Sequence, residues 1–187
     1  MLYSKLVETY EALSATTKRL EKTEILAKFL KHISESDKEV LYLLLGQIYP
    51  EYSEKKIGIS HQLAIKALAK ATAINEKEIV KEWKKIGDIG KVAEKIMHSK
   101  KQSTLQSHVL TTEKVLSNLR KLPELEGKGT VDKKLSLIVE LLTSSSPIEA
   151  KYLIRTLIED LRIGIQDSTI KEAISQAFFN KDKEATK

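Results

Sequence analysis

Apolar residues recur along this chain at helical spacing. Leu2, Leu6, Tyr10 and Leu13 follow one another at intervals of four, four and three, and Ile25, Leu26, Phe29, Leu30 and Ile33 form a second stripe. Ser36 with Glu39 reads as a capping box in front of Val40, Leu41, Leu44 and Leu45, and Tyr49-Pro50 should stop that helix near Gln47. Ser60 is placed to cap a helix over Leu63–Ala73. Asn75 with Glu78 is placed to cap Ile79–Ile86, with Gly87 as the stop, and Asp88–Met97 reads as another short helix.

Residues 98–111, HSKKQSTLQSHVLT, break the pattern. They read as a polar connection and as the boundary between two lobes. Helical spacing resumes at about 112–122, 130–143, 147–162 and 168–179. The strongest start signal is Ser146-Pro147-x-Glu149, which offers an N-cap, a proline at the first helical position and a carboxylate reaching back; Gly164 is the matching stop. The pattern predicts an all-α fold: a compact domain of about ten helices in two packed lobes over residues 1–179, with no sheet and no internal repeat. The tail at 180–187 lacks an apolar anchor and should be a linker or disordered.

Composition narrows the partner. Hydrophobic residues make up 41% of 187, enough for a core, and 32 basic against 26 acidic residues leave a net charge of +6. Between Lys81 and Lys134 there are 13 basic and 7 acidic residues, so the excess sits mid-chain. An anionic partner is favoured but not identified. Cysteine is absent, which excludes disulfides and thiolate zinc sites. Abundant Lys and Glu with two Met fit a thermophilic source. No apolar run approaches the ~18 residues of a membrane span, and the start MLYSKLVETY lacks a signal-peptide core, so a cytoplasmic protein is expected.

No catalytic constellation assembles. The histidines at 32, 61, 98 and 108 have no metal-ligand spacing, and Gly127-Lys128-Gly129-Thr130 is too short for a P-loop. That glycine segment remains a candidate. Its backbone can approach a ligand closely, Thr130 can cap the following helix, and Lys133 and Lys134 stand in the first turn, which together suit a phosphate; an ordinary turn between helices is the alternative. On a helix over Pro147–Ile163, Lys151, Arg155 and Arg162 fall within about 40° of one another at ~100° per residue, opposite Leu153, Ile154, Leu157 and Leu161. Such a basic stripe suits a run of phosphates or is simply a solvated face. Thr16-Thr17-Lys18-Arg19 adds basic residues at a helix junction. Aromatic residues are few and not interleaved with the lysines, and no helix rich in Asn, Gln and Arg stands out. Any DNA binding should therefore be to backbone and shape rather than to bases.

Several segments resemble archaeal-type ATP-dependent DNA ligases: TTKRLEKTEIL (16–26), GIS with the following helix (58–68), KQSTL (101–105), EGKGT (126–130) and SSSPIEAKYLIRTLIEDLRIGIQDSTIKEAISQAF (144–178). The resemblance extends from Met1 to about Phe179. It implies the all-helical, non-catalytic DNA-binding domain that precedes the ligase core and holds the minor groove on both sides of a nick, in replication and repair. It also implies DNA contact at Lys18, Arg19, Gly127, Lys128, Gly129, Lys133, Lys151, Arg155 and Arg162, with Thr130 beside them.

AMP transfer in that family needs Lys-x-Asp-Gly. None of the seven glycines here follows an aspartate, so the chain is expected neither to charge itself with AMP nor to seal a nick. It reads as an excised or truncated domain, with ATP and Mg expected only for an absent catalytic core, which would be its partner. Some archaeal ligases dock on the sliding clamp through a Gln-containing loop in this domain, and Gln102 and Leu105 lie at the matching place without the paired aromatics. The competing expectation is a helical protein-interaction adaptor, for example one docking on a sliding clamp, with no direct DNA contact.

Overall fold

The computed structural model describes residues 1–50, 52–53, 55–99, 109–127 and 129–179. These hold ten α-helices and one 3-10 turn, without a sheet; a lone bridge joins Leu2 and Thr111. The all-helical expectation holds. Two units form. The first contains Met1–Ser4 and Val40–Leu161; the second contains Lys5–Glu39 and the chain from Arg162 onward. The expected boundary at 98–111 does not separate them, because helices from both sides of that connection pack together within the first unit.

In the first unit are α3 (Val40–Leu44), α4 (His61–Thr72), α5 (Glu76–Ile86), α6 (Ile89–Ser99), α7 (Thr112–Lys121), α8 (Thr130–Ser144) and α9 (Pro147–Leu157). Helix α9 packs along α6, and α8 along α4. Ile89, Val92, Ala93 and Ile96 of α6 are buried, as are Ala150, Tyr152, Leu153, Ile154 and Leu157 of α9. Gly90 permits a close approach: a Cβ there would stand 2.8 Å from the Lys151 carbonyl oxygen and 2.7 Å from Arg155 Cγ. In the second unit, α2 (Arg19–Lys31) packs on α10 (Asp167–Phe178). Helix α1 (Tyr3–Ser14) starts in the first unit and belongs to the second from Lys5.

Most caps follow the sequence. Ser60 accepts from the Leu63 amide at 3.2 Å, Asn75 from the Lys77 amide at 2.9 Å, and Gly87 closes α5 at φ +75°. Ser146 and Glu149 form the full capping box of α9. The expected box at Ser36 and Glu39 does not form. Ser34 instead precedes a 3-10 turn over Glu35–Asp37, its hydroxyl donating to the Asp37 carboxylate at 2.8 Å, and α3 starts only at Val40. That helix also ends early, at Leu44, with Gly46 at φ +70°.

The end of α9 differs most. It stops at Leu157, not near 162, in a Schellman closure: the Asp160 amide donates to the Arg155 carbonyl at 2.9 Å and the Glu159 amide to Thr156 at 3.1 Å. Glu159 occupies the left-handed position usually given to glycine, at φ +57°. Its carboxylate accepts the Ile57 amide at 3.1 Å, which helps offset the strain. Gly164, expected as the stop, lies beyond the closure.

Candidate nucleic-acid interface

The second unit gathers exposed cations around the start of α2. Lys18 is the N-cap in extended conformation, and its side chain makes no capping hydrogen bond. The Lys18 amide is met by the Thr16 hydroxyl oxygen at 3.2 Å, in a turn closed before the helix begins. The Lys18 ammonium lies 2.7 Å from Glu21, and Arg19 pairs with Glu172 of α10. Both basic side chains stay open to solvent, at 77% and 55% exposure. Its hydrogen bond to the Glu21 carboxylate raises the Lys18 pKa, and Lys18, followed by Thr16, holds the Glu21 carboxyl below its ordinary range. These are solvated pairs, which a stronger anion can displace.

One turn along α2, Lys22 points inward. It is 7% exposed, and its ammonium donates to the carbonyls of Ile163 and Gly164, each at 2.7 Å. That contact ties the segment after α9 to α2. Arg162 is exposed there in the left-handed conformation, φ +57°. Arg162 thus directly precedes the segment that Lys22 binds to α2, while Lys18 and Arg19 stand at the start of that helix.

In the first unit the glycine segment leads into α8. Gly127 has φ +95°, and Gly129 is the N-cap at φ +82°. Thr130 was expected to cap. It is instead the first helical residue, and its hydroxyl donates back to the Gly127 carbonyl at 2.9 Å. A glycine has no side chain to offer, so the first amides of α8 keep no side-chain acceptor among the described residues. Gly127, Gly129 and Lys133 are exposed and Lys134 is half-buried. Lys128 lies outside the described residues, as do Gln102 and Leu105, the expected clamp-docking residues.

The expected stripe on α9 does not form. Arg162 is no longer on the helix, and Lys151 and Arg155 are buried, at 7% and 4% exposure. Arg155 Nη2 meets Asp88 Oδ2 at 2.6 Å, and Lys151 lies 3.6 Å from Glu94. Both cations also stand over Tyr152, at 5.3 and 5.1 Å from the ring centroid. Arg155 Nε and Nη1 are buried without an acceptor among the described residues. In this conformation neither side chain is open to a phosphate. The cause is simple: α6 packs over the basic side of α9.

A family model described as the DNA ligase N terminus matches residues 2–175. The chain belongs to that family. It is similar to the DNA ligase of Methanosphaera stadtmanae, 46% identical over 186 residues, covering 97% of this chain and 33% of that ligase. The DNA ligase of Methanothermobacter thermautotrophicus is 41% identical over 95% of the chain and 32% of the ligase. For that of Methanocaldococcus jannaschii the identity is 37%, over 98% and 33%. This ligase N-terminal domain thus spans about a third of the length of the curated relatives it matches.

Two residues that organise the domain were not singled out in the sequence. Asp88 uses one carboxylate twice: Oδ1 accepts the Gly90 and Lys91 amides at 2.9 and 3.2 Å, capping α6, while Oδ2 holds Arg155. An aspartate just before a helix is a readable cap signal, but its arginine is 67 positions away. Lys22 had one clue, its place at i+4 from Lys18, and nothing that marked it as buried. No group of three or more metal-ligating side chains occurs among the described residues, and no helix there is long and apolar enough to cross a membrane.

Proposed function

We propose that this domain binds duplex DNA at and around a nick through the sugar-phosphate backbone, as the DNA-gripping part of an ATP-dependent ligase acting in replication and repair. The observation that carries the reading is a set of exposed cations, Lys18 and Arg19 at the start of α2 and Arg162 beside the segment that Lys22 of α2 binds. Phosphates would displace Glu21 and Glu172 from Lys18 and Arg19. A phosphate carries more acceptor oxygens, and Arg matches its geometry with two parallel hydrogen bonds. In the first unit the uncapped amides of α8, the exposed glycines before them and Lys133 suit another phosphate.

Backbone contacts fix position without reading sequence, which suits a protein that must act at any nick. This chain has no Lys-x-Asp-Gly segment, so AMP transfer, with ATP and Mg, would fall to another part of a full-length ligase.

Equilibrium binding to nicked and intact duplexes across a salt series tests the proposal. Lys18, Arg19, Lys133 and Arg162 each neutralising one phosphate give log K against log salt a slope of roughly −4. Unrelated sequences of equal length should bind alike. No binding at low salt, or a flat salt response, overturns the reading in favour of a protein-interaction adaptor.

A further inference from the structure

Lys22 has an unusual environment for its residue type. It is nearly buried, yet its acceptors among the described residues are two consecutive main-chain carbonyls rather than a carboxylate. A buried ammonium needs such partners, because its desolvation is costly unless its protons are bound. The carbonyls belong to Ile163 and Gly164, in a segment with unusual backbone geometry. Arg162 has φ +57° and Gly164 φ +61°, while Ile163 between them is buried. Glycine adopts that conformation freely; arginine does so at a cost, and persists there only when its surroundings hold it.

Two features show that the surroundings hold the two residues that directly follow Arg162. Both carbonyls are turned onto one ammonium, which fixes the orientation of two adjacent peptide planes. Gly164 is also fitted to the contact: a Cβ there would lie 2.8 Å from Lys22 Nζ. With Ile163 directed into the interior, the neighbouring Arg162 side chain is left exposed. The ammonium doing this sits one turn after Arg19 on the same helix.

We propose that Lys22 is the positioning residue for phosphate binding at this unit. It does not touch DNA. It holds the backbone that directly follows Arg162, and so keeps the Arg162 guanidinium on the side of Lys18 and Arg19, making one phosphate grip of three cations. The inference rests on the DNA-binding reading above and adds a residue that composition alone would count as one more surface lysine. Its consequence is specific: loss of the Lys22 ammonium removes the contribution of Arg162 and leaves those of Lys18 and Arg19.

A double-mutant cycle on the 187-residue chain tests this. Lys22→Met keeps the aliphatic stem and removes the ammonium; Arg162→Ala removes the guanidinium; the double variant removes both. Affinity for a nicked duplex and the salt slope are measured for all four proteins, with the thermal midpoint alongside. Each single variant should bind roughly tenfold more weakly, the worth of one charge-assisted contact, and lose about one unit of salt slope. The double variant should be no weaker than either single. A lysine with a merely structural role would lower the midpoint without changing the slope. Losses that multiply, or Lys22→Met binding like the parent, overturn the assignment. If Lys22→Met does not fold, Gly164→Ala displaces the ammonium from the other side, and the same non-additivity with Arg162→Ala is required. Failure of the parent chain to bind any duplex would instead defeat the DNA-binding reading itself.

Discussion

Arg155 is buried at the heart of the first unit, with its guanidinium 2.6 Å from Asp88, whereas Arg162, seven residues later, is exposed in a left-handed turn of the second unit. By helical projection the two belong on one face. Two events separate them. The helix closes at Leu157, so the projection no longer applies beyond it, and α6 supplies acids that turn the basic side of α9 into an interior surface. A basic residue at helical spacing is therefore a DNA contact or a packing element depending on what faces it, and the facing residue is remote in sequence.

The largest expected effect breaks this comparison most directly. Arg155→Ala should cost about 3–5 kcal/mol of unfolding free energy, because it leaves the Asp88 carboxylate buried without its cation. The protein that remains folded should keep its salt slope on DNA. Arg162→Ala should do the reverse, leaving the denaturant midpoint unchanged while weakening binding. Chemical denaturation of both variants, paired with duplex binding, reads the contrast. An Arg155→Ala protein of normal stability that lost one unit of salt slope would return Arg155 to the DNA surface.

The two arginines also mark what could be read from the sequence. The ten helices follow from apolar spacing, and the Ser146–Glu149 capping box and Gly87 are local chemistry that tertiary packing did not override. The end of α9 was hidden because Ile158, Leu161 and Ile163 continue an apolar pattern through the turn, and because glutamate rather than glycine occupies the left-handed closing position. The burial of Lys151 and Arg155 was hidden for a different reason: Asp88 and Glu94 look like ordinary members of a charged helix until α6 is laid on α9. Of the expected contacts, Lys18, Arg19, Lys133 and Arg162 are exposed cations, and Gly127 and Gly129 open the approach to α8. The role of Lys22 depends on carbonyls more than 140 positions away, which no local pattern contains.

The glycine segment of the first unit should show a smaller effect than Arg155, and a diagnostic one. Gly129 has open space around a would-be Cβ but a φ of +82°, so Gly129→Val strains the turn without a clash. A β-branched residue there should cost about 1–2 kcal/mol of stability. It should also weaken duplex binding more than Lys128→Ala does. Binding by amides depends on the backbone conformation and close approach that only glycine allows, while Lys128→Ala removes one charge and keeps the amides. Affinity and thermal midpoint for both variants decide the ranking. If Lys128→Ala is the worse binder, charge rather than backbone dominates this part of the interface.

The smallest expected effect is a gain. Arg19 pairs with Glu172, and the Glu172 carboxylate also accepts the Thr23 hydroxyl at 3.5 Å. At 55% and 39% exposure the ion pair is screened by water and adds little stability, under about 1 kcal/mol. Its larger consequence is competition, since every phosphate that reaches Arg19 must displace this carboxylate. Glu172→Gln removes the charge and keeps one acceptor oxygen, enough for Arg19 or Thr23 but not for both. It should strengthen duplex binding about two- to threefold at low salt, within what an exposed pair is worth, and the gain should fade as salt screens both pairings. The thermal midpoint should hardly move. The opposite result is equally informative. Weaker binding by Glu172→Gln would mean that the carboxylate holds Arg19 in place for DNA rather than competing with it, and Glu172 would then serve Arg19 as Lys22 is inferred to serve Arg162.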